Sequence, residues 1–306
     1  DTHNPGTEGK ENYTIVGGGV SENPKQYVHI EETPGFNIGG AGQPAGCTNS
    51  LHSHRTAEVF IIHTGSWRMF WGLEGDDGEV VLNPGDLISL PTHMFRGFEN
   101  VTPISATSET GYGFIFSVLG GDDSGGGVVW APEVLEEARN HGLTLLESGQ
   151  LVNTREGEEI PAGIPPVTPV SKTGLGFHSR NTITDASKFV VTRPDEWAYR
   201  ETELIGRNSN AVIRERPGFE VRRVQWSNVE EIPWRVSNLD TVLISNTGSV
   251  VLSGGETLGP GDVALIHAGE EEIDVKPLPG GVSELFIVVA TNDPAGETRR
   301  LDGGAG

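Results

Sequence analysis

Short runs of apolar and β-branched residues, each ended by glycine, proline, aspartate or asparagine, recur along the chain. The first half holds the clearest runs: AEVFIIHTG from Ala57, SWRMFWG from Ser66, GEVVLNPGD from Gly78, LISLP from Leu87 and GFIFSVLG from Gly113. Valine, isoleucine and aromatic residues favour strands, and the residues that end the runs favour tight turns. The pattern therefore predicts an all-β chain of short strands.

A helical pattern is found in the segment APEVLEEARNHG, residues 131–142. Pro132 suits the first helical turn, acidic residues follow it, and Gly142 suits the end of a helix. The stretch GGDDSGGG before it, residues 120–127, predicts a flexible hinge. We expect residues 143–200 to form a loosely structured connector with a few strands.

Matching tripeptides indicate that the chain repeats itself. Pro-Gly-Phe occurs at Pro34–Phe36 and at Pro217–Phe219, and Thr-Gly-Ser occurs at Thr64–Ser66 and at Thr247–Ser249. Both pairs are 183 residues apart. Two independent matches at one offset predict an internal duplication.

A third match fixes the extent of the duplication. Pro-Gly-Asp occurs at Pro84–Asp86 and at Pro260–Asp262, now 176 residues apart. The second copy is therefore expected to have a shorter hairpin, because such loops tolerate deletions. We predict a repeated unit of about ninety residues, near 26–118 and 209–292.

The composition narrows the classes of partner. The chain of 306 residues carries 21 Lys and Arg against 43 Asp and Glu, a net charge of −22. This excess of negative charge argues against nucleic acid or an anionic membrane surface as a partner. Cys47 is the only cysteine, so no internal disulfide can form. A lone cysteine fits a reducing compartment, and we expect a cytoplasmic protein.

The stretch LHSHRTAEVFIIHTG, residues 51–65, carries the candidate chemistry. Residues two apart on a strand point to one face, so His52, His54 and Glu58 should project together. His63 has the opposite parity and is not expected to be a ligand. Two imidazoles and one carboxylate form the facial triad of non-heme iron sites, which leaves positions open for substrate. We therefore predict a metal site here, with a polar edge strand as the alternative.

These residues resemble two motifs of the cupin superfamily. The first motif is matched by His52-x-His54-x3-Glu58-x6-Gly65, and the second by Gly85-Asp86, Pro91 and Asn100. Together with the duplication, they make the chain resemble a bicupin. The resemblance implies two antiparallel jelly-roll barrels and one connecting helix. We expect the barrels at residues 1–127 and 201–306, with residues 128–200 between them.

One position departs from the cupin pattern. The second motif usually supplies a third histidine as a fourth metal ligand, and this position holds Arg96. A guanidinium cannot ligate a metal, but it can bind a carboxylate through two hydrogen bonds. We favour Arg96 as the residue that binds an anionic substrate near the metal. Two alternatives stay open: His93 supplies the missing ligand, or Arg96 forms an ion pair with Glu58 that leaves no metal site.

The second copy lacks the candidate ligands. The positions that match His52, His54 and Glu58 are Arg235, Ser237 and Thr241, and the position that matches Arg96 is Glu272. Hydroxyl groups and a guanidinium do not replace imidazoles and a carboxylate as ligands. We expect the C-terminal barrel to bind no metal by this route and to serve packing or oligomerisation, with His267 as a polar edge residue.

We expect a metal-dependent enzyme, most of all a mononuclear non-heme iron(II) dioxygenase that acts on a small organic acid. Several aromatic residues lie near the candidate metal ligands and would suit an aromatic or other apolar substrate where they line the cavity: Phe60, Trp67, Phe70, Trp71, Phe95, Phe98 and Phe114. With manganese, nickel or zinc, a lyase or isomerase is the alternative. A ligand-binding cupin without catalysis is the hypothesis from another class. The cupin resemblance also implies a homodimer.

Overall fold

The computed structural model describes residues 6–19, 26–53, 56–105, 108–121, 128–171, 188–214, 217–227, 234–235, 239–269 and 273–291. The strands of the first half are β1 (Glu11–Val16), β2 (Val28–Ile30), β3 (Phe36–Gln43), β4 (Thr48–Ser53), β5 (Glu58–Thr64), β6 (Trp67–Trp71), β7 (Gly78–Leu82), β8 (Leu87–Leu90), β9 (Arg96–Asn100) and β10 (Gly113–Gly120). The predicted runs in this half are confirmed as β5, β6, β7, β8 and β10.

The middle of the chain holds β11 (Val129–Trp130), α1 (Pro132–Asn140), β12 (Leu143–Leu145), β13 (Leu151–Asn153), a 3₁₀ turn (Thr154–Glu156) and β14 (Val190–Val191). The second half holds β15 (Arg200–Gly206), β16 (Ile213–Arg214), β17 (Phe219–Trp226), β18 (Trp234–Arg235), β19 (Thr241–Thr247), β20 (Val250–Leu252), β21 (Thr257–Leu258), β22 (Val263–Ile266), β23 (Asp274–Pro277) and β24 (Ser283–Ala290). The described chain is thus mainly β-structure, as the apolar pattern predicts.

The predicted helix is confirmed with nearly the expected limits. It begins at Pro132, with Glu133 in its first turn, and ends at Asn140. Gly142 follows in the left-handed conformation, with φ 83°. Glycine adopts this conformation without steric cost, which is why it commonly ends a helix. Most of the predicted hinge, residues 122–127, lies outside the described residues.

The N-terminal barrel consists of two facing sheets. One has the strand order β14-β8-β5-β10-β3-β1-β2 and the other β11-β4-β9-β6-β7. All pairs are antiparallel except β1 with β2. Side chains of both sheets meet in one apolar interior, which includes Phe60, Ile62 and Ile115 from the first sheet and Trp67 and Met69 from the second.

The C-terminal barrel repeats this topology strand for strand. Its sheets have the orders β16-β15-β17-β24-β19-β22 and β18-β23-β20-β21. These orders correspond to β2-β1-β3-β10-β5-β8 and β4-β9-β6-β7 of the first barrel. The two strands without a counterpart, β11 and β14, come from the connector and extend the sheets of the N-terminal barrel. The predicted jelly-roll architecture is confirmed.

The larger sheets of the two barrels pack against each other. A single apolar cluster contains side chains of both, among them Phe36 and Phe219, whose ring centroids are 5.8 Å apart. His63 Nδ1 lies 3.1 Å from Asn246 Oδ1 in the other barrel. In each pair the two residues occupy equivalent positions of the two copies. Contacts between equivalent positions are typical of two-fold arrangements, so the barrels pack about a pseudo-two-fold axis.

Within the part of the chain that the structure describes, no helix has the length and apolar character needed to cross a membrane.

Candidate functional site

The N-terminal barrel contains a cavity of about 480 Å³. Its described walls come from both sheets and from the connector: Lys10, Asn12, Tyr13, Thr14, Gly19, Gln26, Gly39, Gly40, Ala41, Asn49, His52, Glu58, Phe60, Phe98, Ile115, Ser117, Leu119, Val128 and Trp130. Small residues on β3, Gly39 and Ala41, leave space on one side. The volume is typical of cavities that hold small organic molecules.

Two of the three predicted ligands reach the cavity, but from two strands of different sheets rather than from one strand as the parity argument assumed. His52 on β4 and Glu58 at the start of β5 both line the cavity, and both are mostly buried. Phe60 and Ile62 continue the same face into the barrel interior. His54 lies outside the described residues, so the structure does not show whether the third ligand joins them.

The ring of His52 is oriented by its own strand. Its Nδ1 lies 2.8 Å from the backbone carbonyl of Ser50 and must donate to it, because a carbonyl only accepts. In the neutral ring, the lone pair is then on Nε2. The ring centroid also lies 5.6 Å from that of Trp130, which comes from the connector. A backbone bond of this kind commonly fixes the tautomer of metal-bound or catalytic histidines.

Arg96 lies beside His52 and Glu58 in the barrel interior. It is the register partner of His52 across β4 and β9 and of Trp71 across β6 and β9. Its side chain has no exposed surface, and its Nε lies 3.4 Å from Glu58 Oε2. The ion pair that the sequence left open as an alternative is therefore present in the structure.

The guanidinium of Arg96 is poorly satisfied. Among the described residues, its Nε, Nη1 and Nη2 have no hydrogen-bond acceptor. Burial lowers the pKa of Arg96, and the negative charge of Glu58 opposes this shift. The side chain nevertheless stays charged, because the ordinary pKa of arginine lies far above neutral pH. A buried cation with unused donors thus lies behind Glu58, which lines the cavity.

His93 takes a different place from the strand residues. It lies in the turn between β8 and β9, half-buried, with φ 61°. This left-handed conformation favours glycine, although histidine is among the residues that adopt it. His93 is not one of the residues described as lining the cavity. Its proposed role as a substitute ligand stays a prediction, and its turn position does not support it.

The aromatic residues near the candidate metal ligands fall into three groups. Phe60 and Phe98 line the cavity, with ring centroids 5.3 Å apart. Trp67 and Trp71 are buried in the barrel interior. The other three lie elsewhere: Phe70 and Phe95 in a cluster next to α1, and Phe114 against the cluster between the barrels. Only two of the seven therefore line the cavity.

The described ligands suit a divalent metal in kind, since imidazole and carboxylate bind iron, manganese, nickel and zinc. The arrangement of these side chains, however, does not favour a metal. The carboxylate of Glu58 is paired with Arg96, and a divalent cation next to a buried guanidinium would meet like charge. Among the described residues, which do not include His54, no three His, Cys, Asp or Glu side chains are grouped to hold a metal. A metal bound by Glu58 would therefore share its carboxylate with Arg96 or displace Arg96 from it.

Among the described residues, the equivalent positions of the C-terminal barrel form no such site. Arg235 is exposed and pairs with Asp274, with Nε 3.0 Å from Oδ1. Thr241 is fully buried and donates to the carbonyl of Leu239 at 2.8 Å. His267 is half-exposed, with Nδ1 3.9 Å from Asp240 Oδ1. Ser237 and Glu272 lie outside the described residues.

Some cavity residues are not found by the sequence motifs. Lys10 precedes β1, a strand that lies before the recognised repeat, and no local pattern marks it. Trp130 reaches the cavity because β11 pairs with β4, where Trp130 is the register partner of His52. Both depend on long-range pairing, which short motifs do not report.

Neither a protein-family model nor a curated protein matches the chain. Solved structures match over most of its length. Procruciferin, an 11S globulin from Brassica napus, is 13% identical over 85% of this chain and 77% of its own, with a TM-score of 0.52. A cupin 2 conserved barrel domain protein from Leptotrichia buccalis is 7% identical over 93% and 90%, with a TM-score of 0.46. The oxalate decarboxylase of Lactobacillus farciminis, in its formate complex, is 14% identical over 85% and 77%, with a TM-score of 0.49.

At such identities the likeness shows the fold alone. Procruciferin, an 11S globulin, shares this architecture, and one fold can serve unrelated functions, so function has to be argued from the site. The duplicated strand order and the match to procruciferin agree with each other. The chain therefore has the bicupin fold, with two cupin barrels in one polypeptide.

Proposed function

We propose that the N-terminal barrel binds a small organic acid and that Arg96 binds its carboxylate. The observation that carries this proposal is the buried guanidinium whose donors have no acceptor among the described residues. An unsatisfied buried donor costs about 1–3 kcal/mol, and a charged one costs more. A carboxylate offers two acceptors that match the planar fork of a guanidinium. A bound carboxylate would therefore supply the hydrogen-bond acceptors that the described residues do not give Arg96.

Glu58 takes the place of the ligand in the free protein. Its contact with Arg96, at 3.4 Å, is longer than a charge-assisted hydrogen bond of about 2.7–2.9 Å. Glu58 lines the cavity, whereas Arg96 is not among the described lining residues. An incoming acid therefore meets Glu58 first and must displace it from the guanidinium. The Glu58 carboxylate acts as an internal competitor for the site.

The rest of the cavity wall suits a carbon skeleton. Phe60, Phe98, Ile115 and Leu119 provide apolar surface next to Glu58 and along the barrel interior. Burial of an apolar ligand against such surface contributes about 25 cal/mol per Å². Arg96 would thus fix the orientation of the acid, and the apolar wall would supply much of the affinity.

Isothermal titration calorimetry with acetate, benzoate and hexanoate tests this proposal. We expect binding to the wild type, and affinity at least about tenfold lower in Arg96→Gln, since one good charged hydrogen-bonding pair is worth about 1.5–3 kcal/mol. Arg235→Gln is the matched control, because it removes an exposed arginine from the other barrel. As a control that needs no variant, benzamide, the neutral amide of benzoate, is titrated in place of benzoate. Equal binding of benzamide, or unchanged affinity in Arg96→Gln, would contradict the proposal.

A metal-dependent enzyme is the second candidate, and the tautomer of His52 favours it. The bond from Nδ1 to the Ser50 carbonyl places the lone pair on Nε2, the atom that would ligate a metal with Glu58 and, if it joins them, His54. Such a metal would supply dioxygen chemistry as iron(II), or Lewis-acid chemistry as manganese, nickel or zinc. The dioxygenase and the lyase or isomerase are the corresponding forms of this candidate.

Elemental analysis separates these forms. Near one iron per wild-type chain, lost in a His52→Ala/His54→Ala variant and accompanied by oxygen consumption, would support the dioxygenase. One manganese, nickel or zinc, with activity kept under anaerobic conditions, would support the lyase or isomerase. Absence of metal after reconstitution would leave ligand binding as the function. The homodimer implied by the resemblance also stays a prediction, which the mass in solution would test.

A further inference from the structure

We infer that the cavity accepts an elongated dianion, whose second acidic group is recognised at the far end of the barrel by Lys10 and Gln43. This inference rests on the proposed function, which assigns the first acidic group to Arg96. It identifies the class of ligand as a chain with an anionic group at each end.

The two charged groups of the described cavity wall stand at opposite ends. They are Glu58, in front of Arg96, and Lys10. Across the sheet, Glu58 is in register with Leu119 on β10, and Leu119 with Asn37 on β3. Glu11, the neighbour of Lys10, is in register with Gly42 on β3.

Asn37 and Gly42 are five residues apart on one strand, which separates the two ends by about 17 Å along the strands. Long side chains reach inward from both ends, so the gap between their charged groups is shorter than the backbone separation. A ligand that pairs with both groups must therefore be elongated, and a compact monoacid cannot reach both.

Gln43 supplies an independent observation at the Lys10 end. Its side chain has no exposed surface, and neither Nε2 nor Oε1 has a hydrogen-bond partner among the described residues. It has the same strand parity as Gly39 and Ala41, which line the cavity, so it points into the barrel. A buried amide without partners is costly, and a polar ligand group or water is needed to satisfy it.

The electrostatics of Lys10 favour an anion. Burial lowers its pKa to about 8, and a negative charge on the Cys47 sulfur would oppose that shift. Cys47 itself is held neutral, since burial and Glu8 raise its pKa while Lys10 lowers it. A bound anion next to Lys10 would favour the charged ammonium and raise its pKa again. Ligand binding near pH 8 should therefore take up protons from solution.

Polar groups lie between the two ends. Asn12 and Thr14 on β1, Asn49 on β4 and Ser117 on β10 all line the cavity. They offer hydrogen bonds to the middle of a ligand, and two of them lie beside the apolar surface, since Ser117 is the register partner of Phe60 and Asn49 that of Phe98. The cavity thus combines two charged ends with a mixed centre, which a simple fatty acid would not use.

Calorimetric titration of dicarboxylates from succinate to sebacate, each beside the monocarboxylate of equal length, tests the inference. We expect one dicarboxylate length to bind at least about tenfold tighter than its monoacid, with uptake of about half a proton at pH 8 in buffers of different ionisation enthalpy. Lys10→Gln should abolish both the preference and the proton uptake. Lys276→Gln, which removes an exposed lysine from the other barrel, should keep both.

The outcomes separate this inference from the proposed function. Binding of monocarboxylates without tighter binding of any dicarboxylate would overturn the dianion and leave the role of Arg96 intact. A preference that persists in Lys10→Gln would overturn the assignment to Lys10. If the wild type binds no carboxylate at all, both the dianion inference and the proposed function are overturned. The wild-type preference and proton uptake need no variant, so they decide the matter even if Lys10→Gln does not fold.

Discussion

The two barrels share one strand order but differ in what fills them. In the N-terminal barrel, Ala41 and Ser117 leave a cavity that reaches Glu58. The equivalent positions on β17 and β24 hold Val224 and Ile287, which are fully buried in the apolar interior. The two interiors thus differ by a few side-chain volumes, whereas the backbone pairing is the same.

The charged residues follow the same division. Glu58 and Arg96 are buried in the first barrel, and Thr241 stands in the position of Glu58 in the second. Gln43, whose side-chain amide has no hydrogen-bond partner among the described residues, corresponds to Trp226, which fills its part of the second barrel. The fold is therefore maintained by apolar packing in both barrels, and the capacity to bind a ligand rests on a small set of polar or small residues in one.

The largest expected effect comes from the buried arginine. Arg96→Gln should lower the free energy of unfolding by about 3–5 kcal/mol, because it leaves the Glu58 carboxylate buried without the guanidinium. Arg235→Gln removes the arginine at the position of His52 in the other barrel, where the ion pair is exposed, and should cost less than about 1 kcal/mol. Urea denaturation of both variants measures this difference. Equal losses would show that the Glu58–Arg96 pair is not special to the first barrel.

An exchange of side-chain size between the barrels should have a medium effect. Val224→Ala creates a void in a filled interior and should cost about 2 kcal/mol. Ala41→Val places extra volume in an existing cavity, so its cost should stay below about 1 kcal/mol while carboxylate binding weakens. Thermal unfolding and calorimetric titration of both variants measure these effects. A large loss of stability in Ala41→Val would mean that the first interior is as tightly filled as the second.

The smallest effect concerns the contact between the barrels. His63 donates to Asn246 Oδ1, and Asn246 donates to Glu284 Oε1 at 2.8 Å. Burial lowers the pKa of His63, with the bonds to Asn246 opposing the shift. The unfolded chain therefore binds a proton at His63 more readily, and the wild type should lose stability relative to His63→Gln between pH 7 and pH 5.

Glu284 contributes with the opposite sign. Burial raises its pKa, so the folded protein binds that proton more readily and gains stability as the pH falls. Since both proteins keep Glu284, the difference between them isolates His63. Urea denaturation at the two pH values measures it. A difference that does not change with pH would show that His63 does not titrate in this contact.

Much of the fold could be predicted from the sequence because it depends on local patterns. The tripeptide matches revealed two copies of one unit, and the motif singled out His52 and Glu58, which both line the cavity although they lie on strands of different sheets. The predicted limits of the unit missed one strand of each copy. β1 and β15 precede the matched segments of their copies, yet β1 pairs with β3 and β15 with β17 inside those segments. No shared tripeptide marks these strands, so they show only in the sheet.

The chemistry of the site was harder to predict because it depends on contacts between distant strands. The sequence left Arg96 with two roles, and only the register of β4 with β9 places it beside His52, close enough to pair with Glu58. Lys10 and Trp130 reach the cavity through pairings of similar range. The distance between two side chains across a barrel is not encoded in either local segment. The motif alone could therefore not decide between the roles of Arg96.

The most direct test of the account is the affinity of benzoate for Glu58→Gln beside the wild type. If Glu58 is an internal competitor for Arg96, its neutral replacement should bind benzoate more tightly, and benzoate should raise the unfolding temperature of this variant more than that of the wild type. Weaker binding, or loss of binding together with loss of a bound metal, would contradict the account. Glu58 would then be a ligand or catalytic group rather than a stand-in for the substrate's carboxylate.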